Sequence, residues 1–160
     1  MTDIAIARAL HVLAVVLWIG GVGMVTTVFL PALQRRGPGA AERLEAFHAL
    51  EQRFAQQARI TTVLAGATGF YMVWRMGAWD RFETAGFWWM HAMVLTWLVF
   101  TVMLFVIEPL FSARAFRRAA TAPEASTRKA LRLHRILLAL SLVTVAGAVA
   151  GSHGVNLFGW

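Results

Sequence analysis

The chain alternates between long apolar stretches and shorter polar connections. Four of the apolar stretches are long enough to be interpreted as membrane-spanning helices, since a span needs about 20 mainly apolar residues. They cover about residues 4–33, 60–79, 86–111 and 136–155. Together they account for most of the chain. The pattern therefore predicts an all-α, integral membrane four-helix bundle in which residues 1–160 form a single domain.

The composition agrees with this class. Hydrophobic residues make up 59% of the chain and charged residues only 14%, which is too apolar for a soluble domain of this size. The sequence contains no cysteine, so metal sites must use histidine, methionine or carboxylate. The opening MTDIAIARALH lacks a basic region followed by a small-residue cleavage site, so we expect the first span to remain in the mature protein.

The positive charge is concentrated in two connections, and this predicts the orientation. A net charge of +7 could indicate a nucleic-acid partner, but basic residues beside spans are better explained by the positive-inside rule. Both connections are then cytoplasmic, the helices run up-down-up-down, and both termini lie on the outer, periplasmic side. We expect a multi-pass protein of the bacterial inner membrane whose partner is the lipid bilayer. The basic residues are Arg35, Arg36, Arg43, Arg53 and Arg59 in the first connection and Arg114, Arg117, Arg118, Arg128, Lys129, Arg132 and Arg135 in the third.

The first connection is itself predicted to be largely helical. Leu44, Phe47, Leu50 and Phe54 recur at spacings of three and four, which is typical of an amphipathic helix, here over about residues 40–59. This helix would lie on the cytoplasmic side and continue into the second span.

A charged pair is predicted near the cytoplasmic ends of two spans. Arg59 lies near the cytoplasmic end of the second span and Glu108 near that of the third, so an ion pair could join these helices. The alternative is that they contact a haem propionate or a quinone at the inner side. We favour the structural pair.

Three histidines should lie toward the outer face. His11 is about seven residues inside the first span and His91 about five inside the third, so both lie roughly 7–10 Å deep. Ionisable side chains at membrane depth are costly and indicate a functional site. The first and third helices of such a bundle are diagonal neighbours, so two imidazoles could hold haem b as axial ligands. His153, nearer the surface, could be a supporting partner, an alternative ligand or a proton-transfer group.

One face of the first helix adds two cofactor-binding candidates. His11, Ala14, Trp18 and Gly21 follow a helical stripe, and a flat macrocycle needs clearance beside its ligand. Trp18 and Gly21 are therefore predicted to contact the cofactor. The same pattern also describes half-wet interfacial histidines and glycines that serve ordinary helix packing, and this alternative stays open.

Several motifs resemble one membrane protein superfamily. The stretch ARALHVLAVVLWIGG, with His11 seven residues before Trp18, resembles the first span of the HemJ-type membrane protoporphyrinogen oxidases and of the related CopD-like (copper-resistance D) proteins. The segment FHALEQRFAQQARITTVLAGATGFYMV is similar to the start of their second helix, and LRLHRIL precedes the last span similarly. WWMHAM places His91 where that family has a histidine. The resemblance implies haem binding at His11 and His91.

The functional alternatives follow from one difference between this chain and the HemJ-type pattern. The HemJ-type pattern has a lysine two residues after the third-span histidine, whereas this chain has Met93, so the oxidase activity is not carried over with haem binding. We expect a b-type haem protein, with or without oxidoreductase activity, that passes electrons to quinone or a redox partner protein. The alternatives are a CopD-type copper protein, with His11, His91 and His153 supplying nitrogen and Met90 or Met93 sulfur, or a non-catalytic anchor subunit. A homo-oligomer is compatible with each.

The arginine-rich connections generate a test of orientation. A reporter enzyme that is active only outside the cytoplasm, fused after Trp160, should be active, because the positive-inside rule places the C-terminus outside. The same reporter inserted between Arg43 and Arg53 should be silent. The reverse pattern of activities would overturn the outer location of the histidines.

Overall fold

The computed structural model describes residues 1–36, 39–110, 117 and 121–155, and over these residues all regular structure is helical. Phe111, the predicted end of the third span, and two of the predicted cytoplasmic arginines, Arg114 and Arg118, lie outside the described residues. The helices in chain order are α1 (Thr2–Met24), a π-helical turn (Val25–Phe29), α2 (Leu30–Arg36), α3 (Ala40–Arg75), two 3₁₀ turns (Trp79–Glu83 and Ala85–Phe87), α4 (Trp88–Val102), a second π-helical turn (Met103–Ile107) and α5 (Pro123–Ser152).

Three helical segments are long and apolar enough to cross a membrane: Thr2–Gln34, Ala85–Leu110 and Pro123–Ser152. They correspond to the first, third and fourth predicted spans. The second predicted span belongs to α3, which ends at Arg75 rather than at residue 79. Its apolar part, residues 60–74, is flanked by arginines and extends only about 22 Å at the α-helical rise, less than a bilayer core of about 30 Å.

The first part of α3 is the predicted amphipathic helix, and the structure confirms it. Leu44 and Phe47 are buried, whereas Glu42 and Glu45 are exposed. Phe47 joins a hydrophobic cluster with Val25, Leu30 and Leu131, which come from the other end of the first span and from α5. The apolar stripe thereby fixes the connection against the bundle.

The lateral surface is apolar and the interior contains small and hydroxyl-bearing residues. Large side chains such as Val16, Ile60 and Leu142 are more than half exposed. The buried polar residues among those described are all threonine or serine: Thr26, Thr61, Thr62, Thr68, Thr96, Thr127, Ser141 and Thr144. An extensive exposed apolar surface marks a protein that contacts membrane or partners, and here it runs along the sides of helices that can span a bilayer.

Most of the buried hydroxyls are satisfied within their own helix. Thr26 donates to the Val22 carbonyl at 2.6 Å, and Ser141 donates to that of Leu137 at 2.8 Å. One hydroxyl pair joins two helices: the oxygens of Thr96 on α4 and Thr144 on α5 lie 3.0 Å apart. Hydrogen bonds of this kind strengthen helix association where water is absent.

Aromatic rings pack against glycines of three helices. A Cβ added at Gly66 would lie 2.6 Å from Trp97 Nε1, and one at Gly147 would lie 2.5 Å from the ring of Trp88. The sequence indicates close backbone approach at these positions, whereas the structure fills the space beside them with rings from the facing helix. The other two such pairs are Gly21 with Phe54 and Gly151 with Trp89.

Gly66 provides a test of this packing. Gly66→Ala should destabilise the bundle by about 1–3 kcal/mol, because the new methyl group displaces Trp97 and its 3.0 Å hydrogen bond to the Thr62 carbonyl. Gly20→Ala is the matched control, since its Cβ would meet nothing within 4 Å. Thermal unfolding in detergent should show a lower unfolding midpoint for Gly66→Ala than for Gly20→Ala. Equal midpoints would contradict the packing of the Trp97 ring against Gly66.

Candidate functional site

A cavity of about 280 Å³ lies between α1, α3, α4 and α5, with a contribution from the connection before α4. Its volume is at the lower limit of small-molecule sites. The walls are largely apolar, and we call it the His11 cavity after its one imidazole. The wall residues that carry polar atoms, sulfur or aromatic rings include His11, Trp18, Phe82, Met90, Met93 and Trp97.

The orientation of His11 is determined by α3. Its Nδ1 lies 2.9 Å from the Ala65 carbonyl oxygen and 3.2 Å from Thr68 Oγ1. A carbonyl can only accept, so Nδ1 carries the proton and Nε2 carries the lone pair. Over the described residues Nε2 has no hydrogen-bond partner. Metal-binding histidines commonly show this arrangement, in which one nitrogen donates to a carbonyl and the other is free to bind.

The sequence of α3 explains why the imidazole fits there. A Cβ at Gly69 would lie 3.2 Å from His11 Cε1, so glycine provides the space for the ring. Thr68 donates to the Leu64 carbonyl at 2.6 Å and therefore presents its oxygen to His11 as an acceptor. The sequence alone does not identify Ala65 and Thr68 as hydrogen-bond partners of His11. The available signal was the run of small residues Ala65 to Gly69, which permits a close approach to α1.

Trp18 lies on the same wall and is almost fully buried, with 3% exposure. Its ring meets Phe100 of α4 edge-on, with ring centroids 4.8 Å apart. Trp18 Nε1 has no hydrogen-bond partner in the described part of the chain. The predicted stripe of His11 and Trp18 on one helix face is thus present at the cavity.

Gly21 and His153, two further predicted site residues, do not line this cavity. The space beside Gly21 is filled by the Phe54 ring and offers no clearance to a ligand. His153 is exposed at the end of α5, where Nδ1 donates to the Val149 carbonyl at 2.8 Å. Its hydrogen bonds are local to the helix end.

His91 is not brought to the cavity wall. It is exposed, and its ring meets the Phe82 ring edge-on at a centroid distance of 5.3 Å. Phe82 lines the cavity, whereas His91 is absent from its described wall. The arrangement therefore does not assemble the predicted axial pair. The cause is rotational: the side chain at position 91 leaves α4 in a different direction from its neighbours Met90 and Met93.

Two methionine side chains of α4, the helix predicted to supply the second imidazole, line the cavity instead. Met90 is buried, with 4% exposure, and Met93 lines the same cavity three residues further along α4. Residues three apart share a helix face. Within the described ranges, no three histidine, cysteine, aspartate or glutamate side chains cluster closely enough to hold a metal ion. The three-histidine copper set predicted as an alternative is therefore not assembled.

The cavity reaches the lateral surface of the bundle. Val12 and Val16 of α1 and Val149 of α5 all line it, and each is more than half exposed. These residues lie on the side that faces lipid in a spanning orientation. An apolar solute dissolved in the bilayer could therefore enter between α1 and α5.

The predicted ion pair at the far end of the bundle is confirmed. Arg59 Nη2 lies 3.2 Å from Glu108 Oε2, and Arg59 Nε donates to the Leu104 carbonyl at 3.1 Å. Leu104 belongs to the second π-helical turn and Glu108 directly follows it, so one guanidinium connects α3 both to this turn and to the residue after it. Neither Arg59 nor Glu108 lines the His11 cavity, which supports the structural role over a cofactor contact.

Glu51 lies one turn before the buried Ala55 on α3, near this ion pair. Burial raises the pKa of the Glu51 carboxyl from 4.5 to about 7, and the negative charge of Glu108 adds to the rise. At a given pH the Glu51 carboxyl is therefore protonated to a greater extent in the folded chain than in the unfolded chain.

Comparison with known proteins gives no independent identification: no family model matches the chain, and neither the curated proteins nor the solved structures contain a match. The site must be interpreted from its own geometry.

Glu51 generates a pH prediction. Because the folded chain binds this proton more tightly than the unfolded chain, the stability that Glu51 contributes should be fully present below pH 4.5 and should be lost as the pH rises to about 7. Glu51→Gln mimics the protonated carboxyl, so its unfolding midpoint relative to wild type should increase as the pH rises over this range. Glu45→Gln, at an exposed position of the same helix, is the control, and its midpoint relative to wild type should stay constant. A difference between Glu51→Gln and wild type that does not change with pH would contradict the assignment.

Proposed function

We propose that this chain is an integral membrane protein that holds a redox-active metal centre in the His11 cavity, with His11 Nε2 as its nitrogen ligand. The observation that carries the proposal is the hydrogen bond from Nδ1 to the Ala65 carbonyl, which leaves Nε2 free at the cavity wall. Nε2 then has a lone pair with no hydrogen-bond partner among the described residues, and a metal ion could bind to it.

The proposal includes the membrane arrangement. Successive helices are antiparallel in it, both termini are outside, and the membrane is the bacterial inner membrane. Contacts between Asp3 and Arg75 at one end, and between Gly21 and Phe54 further along, support opposite directions for α1 and α3. The contact of Arg59 with Glu108 supports the same for α3 and α4. The basic connections favour the cytoplasm for the opposite end.

Haem b is the first occupant to consider, since the resemblance to HemJ-type proteins implies it. A bound haem would supply one-electron chemistry at its iron. His11 would supply one ligand to the iron, and the opening past Val12 and Val16 would admit a lipid-soluble quinone. The fit is incomplete in two respects. His91 does not line the cavity, and the wall formed by the described residues carries no arginine or lysine to meet the propionates.

Copper is the second occupant, and one observation favours it. Met90 and Met93 offer sulfur on the wall that His11 shares, and thioethers are ligands for copper. The third functional hypothesis is that the chain is an anchor subunit of a larger complex, which would need no metal. Membership of the HemJ-type and CopD-like superfamily is part of the proposal and rests on the sequence motifs alone.

The test removes the nitrogen ligand. Wild-type protein, produced with both copper and a haem precursor supplied and purified in detergent, should carry metal or a haem spectrum. His11→Ala should lose most of it, because no other imidazole lines the described wall. His134→Ala, whose imidazole hydrogen-bonds within α5, is the matched control. Element analysis and visible absorption are the measurements, and equal metal and haem in wild type and His11→Ala would overturn the proposal.

A further inference from the structure

We propose that the exposed face of α5 over residues 128–136 binds the headgroups of anionic phospholipids. This surface lies at the end of the bundle where α5 begins, just before the apolar part of the helix. The proposal goes beyond the proposed function and does not depend on a metal centre in the His11 cavity. We call the surface the α5 basic face, and its four cations are Arg128, Lys129, Arg132 and Arg135.

The packing of α5 fixes the direction of the α5 basic face. Thr127 and Leu131 are buried, and Leu131 belongs to the hydrophobic cluster that contains Phe47 of α3. The rings of Phe47 and His134 meet edge-on with their centroids 5.7 Å apart. Because Thr127, Leu131 and His134 follow one another at spacings of four and three, they mark one side of the helix, and this side is held against the bundle. The four cations lie on the other sides of α5, and all of them are exposed.

Along this exposed surface, charged side chains give way to apolar ones. The three arginines of the α5 basic face, at spacings of four and three, form a row about 10 Å long. In the neighbouring row, Lys129 is followed at the same spacings by Leu133 and Ile136, which are 43% and 58% exposed. A phospholipid carries its phosphate and its chains in the same order. The headgroup would lie beside the cations, and the acyl chains would lie beside Leu133 and Ile136.

The chain itself supplies no anion to the α5 basic face. After Glu108 the sequence contains seven basic residues but only one acidic residue, Glu124. Glu124 is paired with Arg43 of α3 at 4.0 Å. With the described residues, none of the four cations forms an ion pair. Arg59, by contrast, is paired with Glu108. The charge of the α5 basic face is therefore left for an external anion.

The location of the α5 basic face favours a lipid phosphate over a soluble anion. Clusters of four or more basic residues directly beside a span attract anionic lipid headgroups. The guanidinium group of arginine also matches the oxygens of a phosphate with two parallel hydrogen bonds. A soluble anion would contact only the cations, whereas a phospholipid would also cover Leu133 and Ile136. We therefore expect phosphatidylglycerol to bind in preference to the zwitterionic phosphatidylcholine.

The experiment titrates the detergent-purified full chain with either lipid and measures bound lipid by native mass spectrometry. Phosphatidylglycerol should bind more tightly, and the difference should shrink as salt is added. Arg132→Gln should weaken phosphatidylglycerol binding by roughly fivefold, because one cation near the headgroup is lost. Arg132→Lys keeps the charge and should retain most of the binding. Arg53→Gln is the matched control, since it removes an exposed arginine of α3 at the same end of the bundle.

Three outcomes would overturn the proposal. The first is equal binding of the two lipids by the wild type. The second is equal weakening in Arg53→Gln and Arg132→Gln, which would show an effect of overall charge rather than of the α5 basic face. The third is release of phosphatidylglycerol by inorganic phosphate but not by chloride at the same ionic strength, which would indicate a site for soluble anions. The unfolding midpoints of both variants without lipid should match the wild type, because these side chains are exposed.

Discussion

The absence of water around the spans is the constraint on which the rest of the structure depends. Backbone groups in lipid must be satisfied within the protein, which helices do along their own length. The same condition applies to side chains, and buried hydroxyls such as Thr26 and Ser141 donate to the carbonyl one turn back. Against this background, His11 Nε2 belongs to a small group of polar atoms without a hydrogen-bond partner in the described part of the chain, together with Trp18 Nε1, Thr62 Oγ1 and Trp89 Nε1.

Interhelical packing follows from the same constraint. Lipid is as apolar as the side chains, so helices associate by close fit rather than by burial from water. In this bundle the fit is between a ring on one helix and a glycine on the next, as in Trp97 against Gly66. Large apolar side chains are then left for the lateral surface. The cavity lies beside the imidazole of His11, which packs against Gly69.

The sequence was sufficient to predict the helices, the amphipathic start of α3 and the pairing of Arg59 with Glu108. Each depends on quantities that a sequence contains: length, periodicity and charge at span ends. The ligand set was not predictable in the same way. Counting residues from a span end gives the depth of His91, but neighbouring side chains differ by about 100° around a helix. That rotation separates an exposed His91 from Met90 and Met93, and packing alone decides it.

The two π-helical turns divide the first and third spans into two parts whose helical phases differ. A π turn acts as a one-residue insertion, so side chains beyond Val25–Phe29 are turned by about 100° relative to an uninterrupted helix. The turn at Met103–Ile107 has the same effect in the third span. In these two spans the inserted residue therefore helps to set which side chains face inward at the arginine end, whereas α3 and α5 keep one phase along their whole length.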